Sequence, residues 1–426
     1  MLIMFRFKNF ASFKDETILD MRAVSYKNMK SHVLDSKTNK VVKTLAIFGR
    51  NASGKSNLIS VLYYFESFVY NQFFDAGNRE DELDFGDKMP NVRRSTFRLS
   101  EEANDDSEFE ILFYHDQKTY QYGFSIHDIP EEKKYKIKEE WLLVDDKLVF
   151  ERQENHMTYG KKYEDELKKI GRNREDRLYV GALDYFGEGE VKQIIDGLKQ
   201  YLKSKFNVHF ELILERSVKG VVSGVNFSRR IAEDAAYKKT IEKFIQMADI
   251  GIAGLRIEEN VDEKTKERYP FEIKTIHDVY DASGKVVRQE EFDLDMESSG
   301  TIRYFSFIQR IFNIIENGGV FIVDELSARL HPILTKFIVD VFEGKMNQKA
   351  QLIFTTHDIS LMNKDRLRRD EIAFVEKNVR GESSLYTLAD VKARSDASFS
   401  KDYMSGKYGA IPVIREEDLY HEMAGE

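Results

Sequence analysis

Apolar and polar residues alternate through residues 2–7, as the one buried face of an antiparallel strand requires, and Asn9, Phe10 and Phe13 lead into a second short strand expected to end near Asp20. The lysine-rich run 26–43 reads as a loop. Residues 44–48 are apolar enough for a fully buried strand, and from Lys55 to about Tyr70 the period lengthens, with Leu58, Val61, Leu62, Phe65 and Phe68 recurring at three and four. That helix is expected to stop before the turn cluster Asp75-Ala76-Gly77-Asn78, and the acidic, glycine-bearing stretch 75–106 predicts an exposed loop. Strand patterns return over 108–114, 119–126, 136–144 and 147–152, with polar turns at Asp116-Gln117 and Asp145-Asp146. They predict an antiparallel meander, with Trp141, the only tryptophan, on its inner face.

From about Glu164 to Ile250 the period is helical: Val191, Ile194, Ile195, Leu198, Tyr201 and Leu202 form one stripe, and Ile241, Phe244, Ile245 and Ala248 another. These stripes predict helices that pack, and no heptad run is long enough for a coiled-coil arm. Strands follow over 255–259, 269–280 and 286–294, with a turn at Ser283-Gly284. A helix is then expected over 302–315, opened by Glu297-Ser298-Ser299-Gly300-Thr301. Two continuous apolar runs, 320–323 and 351–355, have the character of central strands in a parallel sheet; the first ends in Asp324-Glu325 and the second in Thr356-His357-Asp358. Pro332 marks the start of a helix between them, and a last strand is expected over 371–377.

The stretch TLAIFGRNASGKSNL, from Thr44 to Leu58, gives this pattern its chemistry. Gly49, Gly54, Lys55 and Ser56 satisfy G-x-x-x-x-G-K-[ST] between a strand and a helix, the context in which backbone N–H groups wrap a triphosphate. The loop residues Gly49, Arg50, Asn51, Ala52, Ser53 and Gly54, with Lys55, Ser56 and Asn57, are therefore candidate ATP contacts. Lys55 is expected at the β- and γ-phosphates and Ser56 on Mg²⁺. Asp324, at a strand's carboxyl end, is a second candidate Mg²⁺ ligand, acting through water. Glu325 is placed to orient and deprotonate an attacking water, and His357 to bond the γ-phosphate. Ser298, Gly300 and Thr301, at a helix start, offer a second anion cradle.

Composition narrows the class. The 426 residues are 42% hydrophobic and 33% charged, a globular balance long enough for two or three domains or one domain with a large insertion. The net charge of −9 gives no general attraction to nucleic acid, so any such contact needs a local basic patch, for which Lys364-Asp365-Arg366-Leu367-Arg368-Arg369 is the candidate. No apolar run reaches the length of a membrane span, and Arg6 interrupts the place of a signal peptide, which implies a cytoplasmic protein. With no cysteine there are no thiolate sites, and the nine histidines lack metal-site spacing, so the nucleotide's Mg²⁺ is the only metal implied.

The order of phosphate loop, serine-glycine corner, VFIVDE and TTH resembles the ATP-binding-cassette (ABC) ATPase head of the chromosome-maintenance and recombination ATPases, the SMC-like kind. More narrowly, ESSGTIRYF, VDELSARLHP, IFTTHD, RLRRDEIAFVEK and KYGAIP resemble the bacterial abortive-infection ATPases of the AbiL and RloA kind, over nearly the whole chain. The fold implied is α/β: an ABC-type P-loop ATPase head with an antiparallel β subdomain and an inserted α-helical subdomain. Expected divisions are an N-terminal ATPase lobe over 1–160, the helical insert over 161–250 and a C-terminal ATPase lobe over 251–426. The resemblance makes residues 49–56 the Walker A loop and Asp324 and Glu325 the Walker B pair. It makes Ser298, Gly300 and Thr301 the signature, 326–330 the D-loop region and His357 the switch histidine. It further implies a homodimer or larger assembly in which two chains sandwich two ATP molecules, controlling a separate toxic or nucleolytic effector in anti-phage defence. The signature lacks the leucine and double glycine of membrane transporters, and no Q-loop glutamine is identifiable, which leaves one Mg²⁺ ligand unassigned.

Two other functions use different residues. A DNA-binding or repair ATPase would grip a duplex through Arg366 to Arg369, and a nuclease would cut with a metal held by Asp293, Asp295 and Glu291.

Overall fold

The computed structural model describes residues 1–37, 39–73, 95–101, 105–129, 131, 134–170, 174–209, 230–248, 251–258, 272–394 and 397–411. The expected turn at Asp75 to Asn78, most of the acidic stretch and Pro412 of KYGAIP lie outside these residues.

The alternating N-terminus forms β1 (Leu2–Lys8), which pairs antiparallel with β2 (Thr17–Asp20). The run read as a loop is instead partly ordered: β3 (Val33–Asp35) and β4 (Lys40–Val42) make a two-stranded ribbon. Three-residue strands, VLD and KVV, are too short to show apolar periodicity within a lysine-rich run. β5 (Thr44–Phe48) is buried along its whole length and α1 spans Lys55–Tyr70, as the period required. The meander is β6 (Asp106–His115), β7 (Lys118–Ile129), β8 (Lys134–Val144) and β9 (Lys147–Gln153), extended by β10 (His156–Tyr159). These complete a seven-stranded antiparallel sheet in the order β10-β9-β8-β7-β6-β1-β2.

Trp141 corrects the expectation made for it. Glu140, Leu142 and Val144 face the core from β8, so Trp141 points to the opposite face. There its indole lies over Gly123, where any Cβ would collide with the ring, and its Nε1–H donates to Glu110 at 2.8 Å.

The helical stretch divides between two cores. α2 (Glu164–Ile170), α3 (Tyr179–Phe186) and α4 (Gly189–Ser204) pack with the antiparallel sheet and α1. An unforeseen strand, β11 (Phe206–His209), follows, and α5 (Ala235–Ala248) packs in the second core. Next come β12 (Ile252–Glu258), β13 (Glu272–Tyr280) and β14 (Val286–Asp293), an antiparallel three-stranded sheet. α6 (Ser299–Asn317) starts earlier than expected, because the Ser298 hydroxyl caps it by accepting from Thr301 N–H at 3.1 Å.

β15 (Gly319–Val323), α7 (Pro332–Glu343), β16 (Ala350–Thr355), β17 (Ile372–Lys377), β18 (Ser383–Thr387) and α8 (Phe399–Met404) complete the described chain. The second sheet runs β11-β15-β16-β5-β17-β18, parallel except for its last pair. Its central strands are buried on both faces: Leu45, Ile47, Ile322 and Ile353 join the core of the antiparallel sheet, and Ala46, Phe48, Phe321, Val323, Leu352 and Phe354 join the core under α6 and α7. That is why those strands are uninterrupted apolar runs in the sequence. Gln351 ties the sheets together, accepting from Leu2 N–H at 2.6 Å and donating to the Leu2 carbonyl at 3.0 Å.

Candidate nucleotide-binding site

The strand order sets β16 between β5 and β15, so the loops after all three open at one carboxyl edge. Those loops carry 49–54, Asp324-Glu325 and Thr356-His357. The phosphate loop is shaped by close approaches. A Cβ at Gly49 would collide with the Val375 carbonyl, and one at Gly54, the cap of α1 with φ of 114°, would lie 2.6 Å from Ser383 Oγ and 2.8 Å from Ser12 Oγ. Ser383 in turn donates to the Ser53 carbonyl at 2.7 Å. The first-turn amides of α1 have no acceptor of their own in the helix, as at any helix start.

Lys55 is buried, and its ammonium donates to the Gly49 and Arg50 carbonyls at 2.9 and 3.2 Å. Burial draws its pKa down, against the pull of Glu325 and Asp324. Arg50 turns to the Lys377 carbonyl, Asn51, Ala52 and Ser56 are exposed, and the Asn57 amide donates to Ser12 Oγ at 2.8 Å. The Ser53 hydroxyl is buried with no hydrogen-bond partner.

Asp324 is buried at the end of β15 and accepts from Thr355 Oγ1 at 2.6 Å. Burial raises its pKa, while hydrogen bonds from Thr355 and Ser56 and the charge of Lys55 oppose the rise. Glu325 sits in the left-handed region, φ 54°, a costly backbone for this side chain. Its N–H donates to Thr355 Oγ1 at 2.8 Å and its carbonyl accepts from Arg303 Nη2 at 2.5 Å. The Glu325 carboxylate lies 3.3 Å from His357 Nε2, and that contact, with Lys55 and Arg303 beyond, lowers its pKa despite burial.

The structure thus gathers Lys55, Ser56, Asp324, Glu325 and His357. Of the serine-glycine corner, a Cβ at Gly300 would approach the Arg329 carbonyl to 2.8 Å and the Ser298 hydroxyl is taken up capping α6, while Arg303, one turn into α6, reaches Glu325. Thr355, Arg303 and the Ser12–Ser383 pair were missed by sequence reasoning. Arg303 alone carried a signal, as a lone cation among the apolar residues of GTIRYFSF.

Two other groupings come apart. Arg368 is buried against Asp370 at 2.6 Å, Arg369 donates to the Ala393 carbonyl at 2.6 Å, and Arg366 pairs with Asp340, so the basic run is an internal fastening rather than a free strip. Asp293 and Asp295 are exposed and Glu291 pairs with Arg256; among the described residues they do not converge as a metal cluster.

The residues fit the ion and nucleotide that the loop implies. The cradle excludes side chains at two glycines, the Ser53 hydroxyl lacks a partner, and Asp324 is a carboxylate stripped of water beside a serine hydroxyl. The parallel sheet with the histidine strand set between the loop strand and the acidic strand makes this a P-loop nucleotide-binding fold of α/β class.

The profile of a family described as "AAA domain, putative AbiEii toxin, Type IV TA system" matches residues 45–363, well over half of the chain. No curated protein matches the sequence. Among solved structures the chain is similar to an SMC head bound to the C-winged helix domain of ScpA, at 13% identity and TM-score 0.43, covering 91% of this chain and 97% of that one. It is also similar to the SMC head domain from Thermotoga maritima, at 12% and 0.41, covering 91% and 98%. An SMC head with an extended coiled coil, bound to the C-terminal domain of ScpA derived from Pyrococcus furiosus, stands at 12% and 0.40, covering 95% and 98%. All three are distant likenesses. Among the described residues no helix is long and apolar enough to cross a membrane.

Proposed function

The chain belongs to the AAA-domain family of AbiEii type, and on that premise we propose that it is an Mg²⁺-dependent ATP hydrolase working as a nucleotide-gated dimer or larger assembly. The observation that carries this reading is the Glu325 carboxylate, held 3.3 Å from His357 and under the charge of Lys55 at the mouth of a glycine loop. Residues 49–57 bind the triphosphate through the loop amides and Lys55. Ser56 and Asp324 hold Mg²⁺, which when bound supplies positive charge to the phosphate oxygens. Glu325, kept ionised, accepts a hydrogen bond from the attacking water and aligns it with the γ-phosphate. His357, half exposed at the rim, bonds a γ-phosphate oxygen and steadies Glu325.

Ser298, Gly300 and Thr301 of a second copy close over the nucleotide, so ATP joins two chains and hydrolysis releases them. In the cell, on the resemblance of its motifs to abortive-infection ATPases, this switch restrains or releases a separate toxic effector in anti-phage defence. The test is turnover and mass with and without MgATP: Glu325→Gln retains ATP and holds the dimer while turnover is lost. Unchanged steady-state hydrolysis in that variant refutes the role of Glu325.

A further inference from the structure

At the amino edge of the parallel sheet, roughly 15 Å along the strands from the phosphate loop, three side chains from distant segments meet. His32 lies just before β3, Glu343 is the last residue of α7 and Glu371 directly precedes β17. His32 Nδ1 is 2.9 Å from Glu343 Oε2 and 3.1 Å from Glu371 Oε2, and one donor atom from each side chain falls within 4.8 Å of the others. Both glutamates are buried, Glu343 at 7% exposure and Glu371 at 0%.

One imidazole N–H makes one good hydrogen bond, so it cannot satisfy two carboxylates. The remainder is visible at Glu343: beyond the 2.9 Å ion pair of Oε2 with His32, neither buried carboxylate oxygen has an aligned hydrogen bond. Lys43, the nearby cation, donates instead to the Gly344 carbonyl at 3.0 Å and acts on the carboxylates only through its charge. Leaving such a group without an aligned hydrogen bond costs several kcal/mol on the order of a lost charged hydrogen bond. A cation at the centre removes the deficit. Donors that share one ion with bonds of about 2.1 Å stand about 3.0 to 3.4 Å apart, which the His32 contacts match.

We infer that His32, Glu343 and Glu371 form a binding site for a divalent first-row transition-metal ion of the Zn²⁺ class, separate from the nucleotide's Mg²⁺. The imidazole donor favours Zn²⁺ over Mg²⁺, and three protein donors leave a position for water. Glu371 is oriented from outside the site, its Oε2 also accepting from Arg368 N–H at 2.7 Å, as ligating carboxylates usually are. Bound metal clips the segment before β3 to α7 and β17, adding to the Lys43–Gly344 and Val24–Asp370 hydrogen bonds that already join these regions. The site is absent from any sequence spacing because its donors are 311 and 28 positions apart.

The test is Zn²⁺ binding to the full chain without nucleotide, in millimolar Mg²⁺, by titration and elemental analysis. Asp324→Asn serves as a control for the nucleotide site. The expected result is one Zn²⁺ per chain in wild type and in Asp324→Asn, a higher melting temperature with Zn²⁺, and at least tenfold weaker binding in Glu343→Gln and His32→Gln. Should those variants fail to fold, Co²⁺ titration of the Asp324→Asn chain gives the answer, with a visible band saturating at one equivalent expected. No band, no Zn²⁺ bound, binding unchanged in both variants, or loss with Asp324→Asn alone overturns the site and leaves His32 as a protonated bridge. None of these readouts depends on ATP hydrolysis.

Discussion

The molecule buries carboxylates in both of its large sheets, and of the two sets compared only one is built for chemistry. Glu140, in the antiparallel sheet, is fully buried, yet it accepts from Tyr122 OH at 3.1 Å, Tyr179 N–H at 2.5 Å and Val180 N–H at 3.1 Å. It caps α3 from a neighbouring strand, and both of its oxygens accept hydrogen bonds. Asp324 and Glu325 stand at the open edge of the parallel sheet, among Lys55, Ser56 and His357. Glu140 and Asp324 are buried and Glu325 partly so; what separates them is their partners. A carboxylate engaged by a helix's amides and a tyrosine holds structure, whereas one at an open sheet edge beside cations and a glycine cradle has valence left for a ligand.

The largest expected effect breaks the active side of that contrast. Lys55→Ala should abolish ATP retention, measured by nucleotide binding, and Glu325→Gln should lower turnover by about 100-fold or more while retaining ATP. Thr355→Val comes next, since its hydroxyl holds both Asp324 and the Glu325 amide. A drop of about tenfold in kcat, with little change in melting temperature, is expected. If hydrolysis is untouched, the threonine only packs.

The structural side responds to pH rather than to nucleotide. Burial, partly offset by the Tyr179 and Val180 amides, pushes the Glu140 carboxyl up to about 7. Because the folded state holds the proton more tightly than the unfolded one, the stabilising contribution is full below about pH 4.5 and is lost as pH rises through 7. Thermal melts should therefore show a decline between those values, and Glu140→Gln should flatten it with ATP turnover unchanged. Smallest is Tyr122→Phe, which removes one of three donors to Glu140 and should cost about 1 kcal/mol in chemical denaturation without touching catalysis.

Much of this was legible in the chain. Residues 44–57 are contiguous, and Asp324-Glu325 ends an uninterrupted apolar run, so phosphate loop and acidic pair announce themselves by local order. Glu140 is one polar residue in an alternating strand, with nothing nearby to mark it as a helix cap. Trp141 was misplaced because alternation gives two faces without saying which is inner until a buried partner such as Leu142 fixes the phase. The basic run looked like a surface strip because Asp370, Asp340 and the Ala393 carbonyl approach its arginines only in the folded chain.

What the amino-acid order determined by itself was the set of elements and the nucleotide loop, since hydrophobic period and backbone-amide geometry act over a few neighbouring residues. Only tertiary structure decided which buried charges are satisfied. Thr355 and Arg303 shape Glu325, two backbone amides silence Glu140, and Glu343 keeps oxygens without an aligned hydrogen bond beside His32. Desolvation and pairing depend on what the chain brings within about 3 Å, and that distance is set by packing across the sheets.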